Sequence, residues 1–523
     1  MFPASKDEML HLIASLGRVE VSLLLLVIVS LFFIGSRSSS KHGNVPVYGH
    51  VSVLEPTFIL RARYFFAASN MIRASYKKLK DQPYILRCFQ KDIMILPPKH
   101  LEEIRLMPQS KLHMMEAHRD SGIGRWIFMY PFFNSRLHAD GLKKEIIPRN
   151  YHYVARSCDE LNYGWKLDVP QPEGKSTDLT LKKRRLTKLE SSEWTSMSLH
   201  KTVLKLVCRS SARVLVGRPA CRDADWLRIS EEYSMETFAT AFSLMMLPAW
   251  TRPVVARFLP PRIRAQRLLR TAEGIIGQMI QQHAVAEEAR AKGLESEEDD
   301  SLLKWMLEHG TPKECTAKDM AAHQCTLINA AVHTTVSTIL NVIYDLCAYP
   351  EYISVLRQEI DGLAEELGGP GEITGVAMQP QRKAMQDVRL QDGTTIPAET
   401  TIAFAACEIQ MDPEVWNDPS TFDPMRCYRL RQSSPEEKNH HRAGMVNAAN
   451  LTFGWGSYAC PGRHFAMAEV KLIVARLIYE FDFSLLPGQG RPKPLSMTGF
   501  AFPNSAAKLL MRRRRLDGDS RLE

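Results

Sequence analysis

No Cys-x-x-Cys pair occurs in these 523 residues, although the chain carries ten cysteines. That absence removes the common dithiol-redox and zinc spacings. The wide scatter removes the disulfide scaffold of a small secreted domain and fits a reducing compartment. A Gly-rich phosphate loop is missing too, as is any nucleic-acid-binding module, so nucleic acid is not an expected partner. No linker divides the chain, despite a length beyond a typical single domain. With 45% hydrophobic and 24% charged residues a large core is available. The net charge of +9 is concentrated in two runs, Lys182-Lys183-Arg184-Arg185 and Arg512-Arg513-Arg514-Arg515, each read as a solvated segment. Between Thr335 and Cys460 there is also no Glu-x-x-Arg.

One long apolar run is present, Val21 to Gly35. At about 1.5 Å per residue it falls somewhat short of a hydrocarbon core of roughly 30 Å. The weakly polar Leu10 to Gly17 extends it, with Arg18 and Glu20 reaching the interface. Arg37 and Lys41 follow the run, whereas Asp7, Glu8 and Glu20 precede it. The positive side is the C-terminal side, which predicts a membrane anchor over residues 1–36 with the bulk of the chain cytosolic. A cleaved signal peptide is the competing reading; no small-x-small site follows the run.

The richest stretch is Phe453-Gly454-Trp455-Gly456-Ser457-Tyr458-Ala459-Cys460-Pro461-Gly462, followed at once by the helix-like Arg463-His464-Phe465-Ala466-Met467-Ala468-Glu469. Gly456 and Gly462 lack Cβ, so backbone there can bend and lie against a flat ligand. A helix start beyond Cys460 directs N–H groups and a positive dipole end at its sulfur. Read alone, Cys460 is better taken as a buried core cysteine behind a glycine turn. The stretch as a whole resembles the haem-binding loop of the cytochrome P450 superfamily, Phe-x-x-Gly-x-Arg/His-x-Cys-x-Gly, with Phe453, Gly456, Cys460 and Gly462 in register. The resemblance makes Cys460 the axial thiolate ligand of a haem b iron. It also places Tyr458 where the family usually has the Arg or His that contacts a haem propionate, and a phenol offers one hydrogen bond but no charge.

Other segments continue the likeness. A long helix is expected over Asp319 to Leu346, and inside it Ala330-Ala331-Val332-His333-Thr334-Thr335 resembles the family's oxygen-activation segment in a form associated with fungal biosynthetic members. The small alanines would leave room beside the haem. Thr334 would hold a water that passes protons, and His333, in place of a carboxylate, could relay protons at neutral pH. Without the haem loop, the same residues read as a packed Thr pair and an exposed His. Phe422-Asp423-Pro424-Met425-Arg426 resembles the Phe-x-Pro-x-Arg element, which makes Arg426 the arginine that braces the haem loop. His152 and Arg156 have the spacing of a second propionate contact, but read equally as surface residues. Val388 to Pro397 reads as a hairpin about Asp392-Gly393. Met245 to Pro248 and Phe258 to Pro261 are apolar, Pro-punctuated segments that form a membrane-facing substrate lid in the family, or a plain packing patch.

The resemblance implies a mainly α fold with a small β region, a haem domain over 45–515, and two damaged stretches, 162–190 and 368–386. The first reads as a solvated loop. The second lacks the Glu-x-x-Arg helix whose carboxylate should pair with Arg426. It further implies a monooxygenase of the endoplasmic reticulum membrane that takes electrons from NADPH-cytochrome P450 reductase. Its substrate would be lipophilic, a terpenoid, polyketide or alkaloid intermediate of fungal secondary metabolism. The alternative is a catalytically inactive relative, or the product of a faulty gene model, since the missing helix is compatible with both.

Overall fold

Apolar residues three and four apart wind about half of the described residues into helices, and short β-branched runs leave small sheets at their flanks. The computed structural model describes residues 45–514 except 53–54, 89, 120–122, 170–193, 296–297, 363–377, 379 and 498. The anchor expected over 1–36, the basic run 182–185 and most of the two stretches expected to be damaged lie outside the described residues.

The helices that matter for the site are α1 (Thr57–Leu79), α2 (Leu101–Arg105), α3 (Asn150–Asp168), α4 (Leu199–Leu215), α5 (Ala224–Met245), α6 (Pro260–Ala291), α7 (Ala317–Ala348), α8 (Glu351–Gly362), α9 (Arg426–Ser433) and α10 (Arg463–Glu480). The strands are β1 (Val47–Tyr48), β2 (Tyr84–Arg87), β3 (Asp92–Ile95), β4 (Leu112–His113), β5 (Thr195–Met197), β6 (Arg382–Ala384), β7 (Val388–Arg389), β8 (Thr395–Ile396), β9 (Thr401–Ala403), β10 (Phe481–Ser484), β11 (Leu495–Met497), β12 (Phe500–Phe502) and β13 (Leu509–Arg513). A six-stranded mixed sheet runs in the order β1-β2-β3-β9-β6-β4, and β10-β13-β5 form a second sheet. The hairpins β7-β8 and β11-β12 stand apart, the first turning at Gly393 with φ +86° as the Asp-Gly pair predicts.

Two cores divide the chain. One is helical and centred on α7, with α4, α5, α6 and α10 around it. The other lies between α1 and the six-stranded sheet. Helix α7 starts where Thr316 accepts from the Asp319 N–H at 3.1 Å, a side-chain N-cap, and ends before Tyr349-Pro350. It is apolar enough to cross a membrane, yet neighbouring helices cover it: Ile328, Val336, Ile339, Leu340 and Ile343 are all at most 1% exposed. Each such side chain contributes about 1.5–3 kcal/mol by leaving water.

Two expectations change at this level. Asn162 to Asp168 is no loop; it is the end of α3, because Trp165 buries its ring and donates Nε1–H to Glu480 at 3.1 Å. Arg512 and Arg513 are not a free tail, since they sit in β13 opposite β10 and pair with Asp482 and Glu480 at 2.8 and 3.0 Å.

The helix behind Cys460 carries two buried acids, Glu469 and Glu480, and Glu480 is paired with arginines. Glu469 of α10 is 1% exposed, and the Ser211 hydroxyl of α4 donates to it at 3.2 Å. Burial pushes its carboxyl from 4.5 up to about 7, against the pull of the Ser210 and Ser211 hydroxyls. The folded protein therefore keeps a proton that the unfolded chain has released, so stability falls as pH rises from about 4.5 to about 7 and is level above. Glu469→Gln should flatten this part of the profile and leave the variant more stable than the parent near pH 8 by about 1–3 kcal/mol. Parallel unfolding-midpoint profiles for the two proteins would refute it.

Candidate active site

The loop before α10 is shaped by two glycines and one helix end. Gly454 and Gly456 hold φ of +77° and +69°, and the Cys460 N–H closes back on the Phe453 carbonyl at 2.8 Å. A Cβ on Gly456 would lie 2.6 Å from Arg105 Cγ and 3.2 Å from the Arg105 carbonyl, so α2 presses directly on the loop. Gly462 differs from expectation. It has φ −83°, and a Cβ there would meet only Cys460 Sγ at 4.0 Å. Within the protein alone, nothing requires glycine at that position.

The sulfur of Cys460 is approached by the backbone N–H groups of Gly462 and Arg463. Burial raises the thiol pKa, and these two N–H groups with the Arg463 charge oppose it. The helix start thus acts as expected but does not by itself outweigh burial. Coordination to a cation removes a thiol proton outright.

Helix α7 separates its two candidates. Thr334 is exposed on a helix otherwise largely buried, and so is Ala330 one turn earlier. The Thr334 hydroxyl donates to the Ala330 and Ala331 carbonyls at 2.8 and 3.1 Å, which leaves its oxygen lone pairs available. Thr335 is 4% exposed and belongs to the core. His333 points elsewhere, toward His200 of α4 and the Glu231 backbone of α5. Burial first, and His200 second, lower its pKa to about 4. The imidazole is therefore neutral at physiological pH, and the relay by titration expected of it is not available there.

Arg426 is also corrected. It is half-buried and donates to the carbonyls of Asn417, Asp418 and Thr421, the last two at 2.7 and 3.0 Å. Its hydrogen bonds close a local turn and none reaches the Cys460 loop. The preceding Phe422 stacks on Tyr349 at 4.7 Å, which fixes this element to the end of α7. His152 and Arg156 do share a helix face, Nε to Nε2 2.9 Å, but they pair with Asp299 and Asp300 rather than with the loop.

A residue that the motifs did not single out dominates the loop's surroundings. Arg382 opens β6 and is 0% exposed. It donates to the Ile104 carbonyl at 2.6 Å and, weakly, to the Trp455 carbonyl at 3.4 Å, and its guanidinium lies 5.0 Å from the centre of the Tyr458 ring. Its Nε has no partner, and among the described residues no carboxylate pairs with it. A buried cation without a counter-charge costs several kcal/mol, and desolvation accordingly holds the Arg382 guanidinium below its usual pKa. The Tyr458 hydroxyl beside it is buried without a partner in hydrogen-bonding geometry. Burial raises its pKa against the Met114 N–H and the Arg382 and Arg136 charges.

A family model for Cytochrome P450 matches residues 175–367 and 373–511. The chain belongs to the cytochrome P450 family. The cytochrome P450 monooxygenase ATR4 of Stachybotrys chlorohalonatus is 34% identical over 495 residues, 89% of this chain and 90% of that protein. The monooxygenase sdnB of Sordaria araneosa is 31% identical over 518 residues, 92% of this chain and 91% of that one. The retinoic acid-bound cyanobacterial CYP120A1 shares the fold with a TM-score of 0.59 at 15% identity, covering 86% of this chain and 96% of its own. This P450 is accordingly an oxidoreductase, a monooxygenase whose haem iron takes a cysteine thiolate. The match breaks over 368–372, within the stretch where the Glu-x-x-Arg helix was expected.

The residues present fit a haem. Its propionates are carboxylates, and Arg382 and Tyr458 are a buried cation and a buried donor that lack such an acceptor. Arg382 escaped the sequence reading because nothing local distinguishes it from Arg389 seven residues on, which is exposed; burial alone marks it. The loop geometry gives a direct test. Gly456→Ala should destabilise the haem-free chain by about 1–3 kcal/mol, through positive φ and the clash with Arg105. Gly462→Ala should cost less than about 0.5 kcal/mol there. Equal losses in urea unfolding would show that α2 does not set the loop's shape.

Proposed function

We propose that this cytochrome P450 oxidises a lipophilic small molecule with Cys460 as the iron ligand. The observation that carries this reading is the loop that ends at Cys460, with the Gly462 and Arg463 N–H groups directed at its sulfur. Bound haem supplies the activation of dioxygen from which one oxygen atom enters the substrate. The chain's own part is positional. Arg382 and Tyr458 would hold the haem carboxylates, and Phe453 and Gly456 shape the loop that presents Cys460. Thr334 orients a water through its free lone pairs and passes a proton inward. His333 is left out of the proton path, since its ring is neutral and faces α4 and α5.

The substrate belongs, in this reading, to fungal secondary metabolism: a terpenoid, polyketide or alkaloid intermediate. Relatives at 29% identity include the ent-kaurene oxidase of Gibberella intermedia, which supports the terpenoid class. Residues 1–36 anchor the protein in the endoplasmic reticulum membrane, with the domain 45–515 on the cytosolic face. There NADPH-cytochrome P450 reductase supplies electrons. Trp250, Val254 and Phe258, on and beside the short helix Arg252–Phe258, are 65%, 63% and 75% exposed, which suits a lid that rests on lipid. A second reading, a relative that binds haem poorly and turns nothing over, is favoured by one observation. Arg426, the expected brace, does not reach the loop.

The reduced, CO-bound spectrum of the full chain separates the two, with a thiolate-type Soret band expected. Cys460→Ala should abolish that band, and its survival would overturn the ligand assignment. Thr334→Ala should lower product formed per NADPH consumed by about tenfold or more with haem content unchanged. Unchanged coupling would remove Thr334 from the proton path.

A further inference from the structure

The loop that presents Cys460 has lost one support and gained contacts of another kind. Between Thr335 and Cys460 no Glu-x-x-Arg occurs, and Arg426 closes the 417–421 turn instead. Two surfaces hold the loop in their absence. On one side the backbone and side chain of Arg105, at the end of α2, press on Gly456, and the Arg105 guanidinium lies 5.3 Å from the centre of the Trp455 ring. On the other side stands Arg382, which reaches the Ile104 carbonyl of α2 at 2.6 Å and the Trp455 carbonyl of the loop at 3.4 Å, with the Tyr458 ring at 5.0 Å.

We propose that Arg382 is a positioning residue for Cys460: its guanidinium fork ties the loop to α2 and stands in for the missing helix brace. The geometry suits the task. Guanidinium is planar and presents five N–H donors in a rigid fork, so one buried group can join two chain segments at fixed separation. The two Nη atoms take the carbonyls of Ile104 and Trp455, while Nε has no partner among the described residues. Bracing through Nη and contact with an anion through Nε are therefore separate uses of one side chain. Trp455 and Tyr458 lie five and two residues before Cys460, so a shift at either is carried to the sulfur through the short turn Gly456–Tyr458. Arg382 itself is fixed by its strand, since β6 lies between β9 and β4 in the sheet.

This inference rests on Cys460 as the iron ligand, and its test separates the two claims. Hydrogen exchange is followed on the full haem-loaded chain, in peptides that cover 453–462, alongside the CO spectrum. Arg382→Lys keeps a positive charge but loses the fork. It should speed exchange in 453–462 by about tenfold or more while α4 and α7 stay protected. It should also shift the CO complex from the thiolate-type toward the thiol-type Soret band. Arg426→Ala should leave exchange in 453–462 at the parent rate. Unchanged loop exchange in Arg382→Lys, with haem lost more readily, would overturn the brace and leave Arg382 as a haem-carboxylate partner only. Loop exchange that rises as much in Arg426→Ala would also overturn it. Failure of the ligand claim looks different, because the thiolate-type band would then survive Cys460→Ala.

Discussion

Between Trp455 and Val470 the chain leaves the core built on the six-stranded sheet and enters the core built around α7. Trp455 packs in the first, Val470 and Ile473 in the second, and Cys460 lies on the crossing. The sulfur is therefore positioned by two bodies at once. The sheet side contributes α2 and Arg382, which shape the loop from Trp455 to Tyr458. The helix side contributes α10, whose first N–H groups face the sulfur. A cysteine held by either core alone would keep its burial but lose its aim.

The electrostatics follow from the same placement. At the crossing a full positive charge is buried on Arg382 with carbonyls and an aromatic face around it and, among the described residues, no carboxylate. Carbonyl dipoles and a ring quadrupole offset part of the desolvation cost but leave the charge itself uncompensated. A protein tolerates this where an anionic group completes the site. Burial pushes the Cys460 thiol up and, separately, between α4 and α5, the His333 imidazole down, so both stay neutral in the protein by itself. In each case burial is the first cause; at Cys460 the local N–H donors oppose it, and at His333 the His200 ring adds to it.

Helix α7 shows how one element can serve stability and chemistry on different faces. Most of its circumference is packed, but Ala330 and Thr334, four residues apart, remain exposed. One helical turn separates i from i+4, so these two share a stripe while His333 and Thr335 fall on either side of it. The assignment among adjacent His333, Thr334 and Thr335 is thus a matter of rotation about the helix axis.

The family, the helical class and the thiolate chemistry were legible in the order of residues from Phe453 to Gly462 and from Ala330 to Thr335, because those motifs are local. The Asp392-Gly393 hairpin and the long helix were legible for the same reason: turn chemistry and helical period act over a few residues. The tertiary structure alone decided what depends on distant neighbours. It made Asn162 to Asp168 the end of a helix, through a Trp165 contact 315 positions away. It took Arg426 off the loop and turned His333 from the exposed stripe. It also raised Arg382 from an unremarked basic residue to the buried cation beside Tyr458. Burial and counter-charge are properties of the packed chain, and no window of sequence contains them.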